Sequence, residues 1–452
     1  MNYQEFLESK RHSAIDYGIK PSFMVDDMFD FQKYVAEYAI KKGRCGVFLD
    51  TGLGKTLIEL VVARNYIEET NKPVLIITPL AVAFQFIKEA EKFGIGDIEY
   101  SKDGKYKSKI VVCNYERLDK FDYAEFDCVI LDESSILKNF DGSIKAQITQ
   151  FLRKVKYRYL FTATPSPNDF VELGTSSEAL GYMGYTDMLG RFFTNNEDTI
   201  KPQNIGTKWI LKGHAYNDFF KWVSSWSVSM RKPSDLGFDD SRHVLPELIT
   251  NHHSITNKEN MVINGQIQLF NQIARRLTEV REEQRLTQKD RCEKAVELAR
   301  ECSVYWCNFN AEGDYLEQMD TSAVQIKGTM PIEKKEEILL AFADGQIKRL
   351  ITKPKITAFG LNWQHCNHTV YFPTFSYEQY YQSIRRFWRF GQTKPVTVDL
   401  VYSDGQKRVI DSLLAKTEKA NQLFDKLNST LNSTFNETKR EFNQNILHPN
   451  FL

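Results

Sequence analysis

No two of the seven cysteines stand in a Cys-x-x-Cys pair. That absence argues against a paired-thiolate zinc site and against a disulfide framework, and reduced, buried thiols of a cytosolic protein are the expectation. The run His365-Cys366-Asn367-His368 holds ligand-type residues but lacks the paired spacing of a structural metal site. Long apolar runs are missing too. The longest are strand-sized, so no membrane-crossing helix is expected, and the N-terminus, with Glu5, Glu8, Lys10 and Arg11, has no apolar signal core. Excess charge is also lacking: 59 Lys and Arg balance 59 Asp and Glu. A chain that coats nucleic acid by bulk electrostatics is thereby disfavoured, whereas a binder that concentrates cations in one cleft is not. No repeat of solenoid period is present.

At 452 residues the chain exceeds one ordinary core, and two or three domains are expected. Short β-rich runs alternate with helix-like stretches from Phe31 to Pro165, with strands expected at Gly46–Leu49, Val74–Thr78, Ile110–Asn114, Val129–Asp132 and Tyr157–Thr162. A second series follows at Val304–Cys307, Val324–Ile326, Leu350–Thr352, Val370–Phe372 and Val396–Tyr402. Such alternation predicts parallel sheets covered by helices. The expected division is a first α/β lobe over 1–168, a mainly helical insertion over 169–300, a second lobe over 301–410 and a helical tail over 411–452, broken by the Ser/Thr/Asn-rich stretch Asn428 to Thr438. Trp209, Trp222 and Trp226 mark the insertion as folded rather than a loose linker.

The densest chemistry lies in Leu49-Asp50-Thr51-Gly52-Leu53-Gly54-Lys55-Thr56, between a strand and a helix. Gly52 and Gly54 let backbone N–H groups of Thr51 to Thr56 approach a phosphate at a helix N-terminus. Lys55 would reach the outer phosphates, and the Thr56 hydroxyl would meet Mg²⁺. Further along, Asp132-Glu133-Ser134-Ser135 ends an apolar strand. Two carboxylates there divide labour, Asp132 holding Mg²⁺ and Glu133 polarising the attacking water. Gln32 carries an amide able to read both edges of adenine. Arg386 and Arg389, three apart, would share one helix face and suit a γ-phosphate. Beside them, Phe387, Trp388 and Phe390 are expected to pack against something, core before bases.

These motifs, in this order, resemble those of superfamily-2 helicases and translocases, most closely the Swi/Snf-like branch. The glycine loop resembles motif I, Thr78-Pro79 motif Ia, and Asn114-Tyr115-Glu116 the next nucleic-acid contact. Asp132 to Asn139 resembles the Asp-Glu box with its Lys-Asn extension, and Thr162-Ala163-Thr164-Pro165 motif III. Thr352 through Phe359-Gly360-Leu361-Asn362-Trp363 resembles motif V, and Gln382 to Gln392 motif VI. Ser135 replaces the usual His, Ala163 the usual Gly, and Arg385 an acidic or small residue. These variants resemble helicases encoded by bacteriophages. The resemblance implies two RecA-like lobes with ATP and Mg²⁺ in the cleft between them. It implies that Thr162, Thr164 and Gln382 couple nucleotide to track, and that Thr78, Asn114, Tyr115, Thr352, Lys353, Asn362 and Trp363 contact the nucleic acid. The expected partner is DNA, forked or branched duplex, remodelled in replication, recombination or repair by a monomer in the cytoplasm, that of the bacterial host if phage-encoded. An RNA helicase and a nucleotide-gated DNA-binding subunit of a restriction or defence complex remain as alternatives.

Overall fold

The computed structural model describes residues 16–444 apart from 80–81, 139–142, 197–208, 257–261, 264–265, 268–276 and 358–361. Asn139 and the motif V residues Phe359, Gly360 and Leu361 therefore lie outside the described residues. The chain forms two compact units, Met1–His243 with Lys419–Leu452, and Val244–Glu418.

The first unit is built on a seven-stranded sheet. Its strands are β1 (Arg44–Leu49), β2 (Val74–Thr78), β3 (Ile98–Tyr100), β4 (Ile110–Asn114), β5 (Cys128–Leu131), β6 (Tyr157–Thr162) and β7 (Ser227–Met230). Their order is β3-β4-β2-β5-β6-β1-β7, and every pairing is parallel. Strands β2, β4, β5 and β6 are buried along their whole length. Burial on both faces is why they appear in the sequence as unbroken apolar runs. Helix α1 (Asp30–Lys42) precedes β1, and α2 (Lys55–Thr70) follows it. From Leu57 to Ala63 every residue of α2 is buried, so this part of the helix is enclosed on all sides.

Residues 169–300, expected as a mainly helical insertion, are shared between the units. Up to His243 they belong to the first, adding β7 to its sheet and packing Phe192, Phe219, Trp222 and Trp226 into its core. From Val244 they belong to the second.

The second unit carries a six-stranded sheet of β8 (Leu248–Ile255), β9 (Ser303–Trp306), β10 (Ala323–Gln325), β11 (Arg349–Thr352), β12 (His368–Tyr371) and β13 (Val396–Ser403). The order is β8-β13-β12-β9-β11-β10, again all parallel. Across its centre Ser303 Oγ lies 2.7 Å from His368 Nδ1, and His368 Nε2 lies 2.8 Å from Asp399 Oδ2. Asp399 Oδ1 accepts from Asn251 Nδ2 and meets His253 Nε2, both at 2.9 Å. The Ser-His-Asp order has the look of a hydrolase triad, but Ser303 and His368 have no exposed surface, and the chain of bonds ties β8, β9, β12 and β13 together instead. Burial acts to raise the Asp399 carboxyl. The hydrogen bonds of His368, His253 and Asn251 outweigh it and hold the group well below the usual carboxylate range.

The last helix runs from Lys407 to Gln444 without a break at the Ser/Thr/Asn-rich stretch expected to interrupt it. The chain returns to the first unit within it, where Leu423, Phe424 and Leu427 join the core.

Candidate nucleotide site and nucleic-acid-contacting residues

In a parallel α/β sheet, ligands gather at the C-terminal ends of the strands. In the first unit those ends carry Asp50 to Gly54 after β1, Asp132 and Glu133 after β5, and Thr162 to Thr164 at the end of β6, which lies between them. The sheet order thus brings together loop, carboxylate pair and threonines that are far apart in sequence.

The glycine loop turns through two left-handed residues, Gly52 at φ 86° and Gly54 at φ 78°. The left-handed backbone favours glycine at Gly54, and a Cβ there would stand 2.2 Å from Gln32 Nε2 and displace that amide. Gln32 closes the loop from α1: its Nε2 donates to the Leu53 carbonyl at 3.1 Å, and its Oε1 accepts from the Phe29 N–H at 3.0 Å. Asp50 Oδ1 accepts from the Thr51 N–H at 2.6 Å. Lys55 Nζ donates to the carbonyls of Leu49 at 3.0 Å and Asp50 at 3.3 Å, which folds the lysine over its own loop. Thr56, in the first turn of α2, is half-buried.

Asp132 is buried, with both oxygens oriented. Oδ2 accepts from Thr78 Oγ1 at 2.8 Å and Oδ1 from the Glu133 N–H at 2.9 Å. The Tyr115 hydroxyl donates to the carbonyls of Asp132 and Glu133. Burial first, then the neighbouring Glu133 carboxylate, pushes the Asp132 carboxyl up; Thr78 and Lys55 pull against them. Glu133 sits at φ 49°, a conformation that costs a non-glycine residue about 1 kcal/mol and recurs at functional sites. The Thr162 hydroxyl accepts from the Thr164 N–H at 3.0 Å, while the Thr164 hydroxyl is buried without a partner.

One residue escaped the sequence reasoning. Glu59, a turn beyond Lys55 on α2, is fully buried, and neither carboxylate oxygen finds a hydrogen bond. Burial, then the charge of Asp132, pushes its carboxyl well up, with Lys55 opposing. The signal was an acid within the otherwise apolar run Leu57 to Ala63.

The nucleic-acid candidates fare unevenly. Thr78 and Tyr115 are buried with their hydroxyls engaged at Asp132. Asn114 is buried too, accepting from Tyr100 Oη at 3.1 Å and donating to Glu116 at 2.7 Å. In the second unit Thr352 is buried at the end of β11, Lys353 Nζ donates to Asn310 Oδ1 at 2.6 Å, and Asn362 is exposed. Trp363 is a correction. It has no exposed surface and packs among Trp306, Phe342 and Phe387, so it cannot stack on a base. Its ring instead faces Arg386, whose guanidinium lies 5.4 Å from the ring centroid.

The arginines are a second correction. Helix α3 (Tyr377–Ile384) contains the buried Gln382 but stops before either of them. Arg386 and Arg389 lie in the turns beyond, so no helix face joins them. This segment is fixed by Gln392, whose Nε2 donates to the carbonyls of Gln364, Cys366 and Phe387. Phe387 is core, Trp388 donates to the Pro246 carbonyl at 2.7 Å, and Phe390 is exposed.

A DEAD/DEAH box helicase model matches residues 29–173, and a helicase conserved C-terminal domain model matches residues 284–391, together more than half of the chain. The chain belongs to the superfamily-2 helicases, Swi/Snf-like branch. Each model falls on one of this helicase's two RecA-like sheets. Among its relatives is the mouse DNA annealing helicase and endonuclease ZRANB3, 28% identical over 193 residues, which covers 38% of this chain and 18% of that one. Another is the Xenopus laevis SWI/SNF-related matrix-associated actin-dependent regulator of chromatin subfamily A-like protein 1, 26% identical over 177 residues, covering 37% and 18%. The helicase spans about a fifth of the length of these curated relatives. A solved structure, the Sulfolobus solfataricus SWI2/SNF2 ATPase core in complex with dsDNA, is similar at TM-score 0.42 and 18% identity, over 92% of this chain and 96% of that one. Among the described residues no helix is long and apolar enough to cross a membrane.

Proposed function

We propose that this helicase is an ATP-driven DNA translocase that remodels branched duplexes, forks or junctions, using ATP with Mg²⁺. The observation that carries the nucleotide half of this reading is the strand-end assembly of the first unit. There the glycine loop, Lys55, Asp132 and Glu133 come together, with Asp132 held by Thr78 and the Glu133 backbone. The DNA half is supported by relatives whose names are those of a DNA annealing helicase and a chromatin regulator.

The residues fit a hard divalent cation. Asp132 and Glu133 place two carboxyls at one strand end, and the Glu133 charge helps burial to raise Asp132, a repulsion that a cation would relieve. Thr56 and Asp132 would hold Mg²⁺, which would neutralise charge on the phosphate oxygens. Loop N–H groups from Thr51 to Thr56 would cradle the phosphates, and Lys55 would exchange the Leu49 and Asp50 carbonyls for phosphate oxygens. Gln32 would meet the adenine edge. Glu133 would orient the attacking water and take its proton. By motif, Arg386 and Arg389 are assigned to the outer phosphate, Thr162, Thr164 and Gln382 to coupling, and Asn114, Lys353 and Asn362 to the sugar-phosphate backbone, contacts that position without reading sequence.

The test is ATP hydrolysis at fixed salt with single-stranded DNA, duplex, fork, four-way junction and RNA in parallel. Strongest stimulation by fork and junction supports the proposal. Stimulation by RNA alone overturns the DNA assignment, and stimulation by none overturns the motor assignment. Lys55→Ala and Glu133→Gln should each lower turnover by about 10² or more, with Glu133→Gln still binding ATP.

A further inference from the structure

The second unit contains two thiols that the proposed function leaves unused. Cys302 immediately precedes β9, and Cys366 lies two residues before β12. Those strands are parallel neighbours, with Val304 opposite Thr369. Two residues back, that register sets Cys302 beside Asn367 and next to Cys366. Adjacent strands run about 4.8 Å apart, inside the roughly 7 Å between Cα atoms that a disulfide spans. Both side chains pack against one apolar cluster, Cys366 fully buried and Cys302 partly exposed at its edge. The Cys366 thiol donates to the His368 carbonyl at 3.4 Å, and the Cys302 side chain lies close enough to those of Cys366 and His365 to feel both.

We propose that Cys302 and Cys366 form a reversible dithiol–disulfide site that sets the position of the arginine-bearing turn. Cys302 is the accessible nucleophile. The neighbouring Cys366, with help from His365 and against the opposing effect of burial, lowers its thiol below the ordinary range. An ordinary thiol is ionised to roughly 0.3% at pH 6. Cys366 is the resolving thiol, kept protonated by the neighbouring Cys302 and by burial.

The co-reactant is a low-molecular-weight aliphatic disulfide. The Cys302 thiolate attacks one of its sulfurs, forming a mixed disulfide and expelling one thiolate. Cys366 then loses its proton and attacks Cys302 Sγ, forming the Cys302–Cys366 bond and expelling the second thiolate. Two protein thiols are oxidised and one small disulfide is reduced to two thiols. Closing the bond draws on the segment Gln364 to Cys366. The carbonyls of Gln364 and Cys366 are two of the three that hold Gln392, and the third is that of Phe387, between Arg386 and Arg389.

The coupling to turnover rests on the ATPase reading above; the dithiol chemistry does not. The full chain is incubated with oxidised glutathione, denatured, alkylated and weighed, with nucleic-acid-stimulated ATP hydrolysis measured in parallel. The expected result is five alkylated cysteines instead of seven, a Cys302–Cys366 linked peptide, and hydrolysis lowered about tenfold or more, all reversed by dithiothreitol. Cys302→Ser and Cys302→Ala should keep their rate under oxidant. A persistent glutathione adduct on Cys302 with Cys366 still alkylated, or seven alkylated cysteines, overturns the site. A linked pair with unchanged rate, or a Cys302→Ser chain that oxidant still slows, overturns the coupling. If the untreated chain hydrolyses no ATP, the ATPase reading fails while the mass measurement still decides the disulfide.

Discussion

Replacing Glu59 by Met should stabilise the first unit. Glu59 has no exposed surface and no hydrogen bond to either oxygen. A buried carboxyl without partners costs about 1–3 kcal/mol even when neutral. Its raised native value adds a pH-dependent cost. The unfolded group ionises near 4.3. Above that pH the unfolded chain releases a proton that the folded chain retains, so stability falls as pH rises from there toward the native value. The slope is about 1 kcal/mol for each pH unit. Methionine matches the volume and carries no charge. The pH-independent part alone gives an expected gain of about 1–3 kcal/mol, and at about 2 °C per kcal/mol for a unit of this size Tm rises by at least roughly 2–6 °C, with more at pH 7. Thermal melting of nucleotide-free parent and Glu59→Met at pH 5, 7 and 8 checks this, and the difference should widen with pH. No rise at pH 7, or a rise identical at pH 5 and pH 8, would refute the reasoning.

Trp363→Ala should cost about 3–5 kcal/mol in stability of the second unit, read by denaturant unfolding, because a fully buried indole leaves a cavity. DNA affinity of the remaining folded chain should hold, as a base-stacking residue's would not. Asp399→Asn should destabilise that unit by about 2–4 kcal/mol at pH 7 by removing the charge that meets His368 and His253. In the parent, the depressed Asp399 value contributes stability that is full above about 4 and drains away as pH falls below it; acid melting curves should show this shoulder, and the variant should lack it. Gly54→Ala should weaken nucleotide binding by about tenfold or more, since its Cβ would meet Gln32 Nε2 at 2.2 Å in a left-handed turn. Adding Gln32→Ala should recover melting temperature by removing the clash, though the backbone strain remains.

The central strands were legible almost to the residue because both their faces are covered. Val74 to Thr78 and Ile110 to Asn114 need no polar side, so their sequence is a plain apolar run. The edges were not legible. Ile98–Tyr100 is three residues long and half-exposed, β7 hides behind serines that are nevertheless buried, and β8 carries Asn251, His252 and His253. The glycine loop and the Asp132-Glu133 pair stood out because their chemistry demands those residue types at strand ends. Spacing alone misplaced Arg386 and Arg389 on a helix, since nothing local in Arg385-Arg386-Phe387 announces that α3 stops at Ile384. Trp363 was misjudged for a different reason. An aromatic residue in a polar motif reads the same whether it faces a base or the core, and only its neighbours Trp306 and Phe387 decide.

The first unit is assembled from two stretches of chain separated by the whole of the second. Leu423, Phe424 and Leu427 fill its core, Asn428 accepts from Ser229 Oγ at 2.7 Å and donates to Asp235 at 2.8 Å, and Asp425 pairs with Arg231. On a ribosome that emits about 5–20 residues per second, the first sheet emerges early, yet the core positions of Leu423, Phe424 and Leu427 stay unfilled until some two hundred residues after β7 have been made. The second unit, contiguous in sequence, has all its strands by Ser403 and finishes first. A nascent chain stalled before Lys419 therefore presents chaperones with a first unit whose core still lacks Leu423, Phe424 and Leu427.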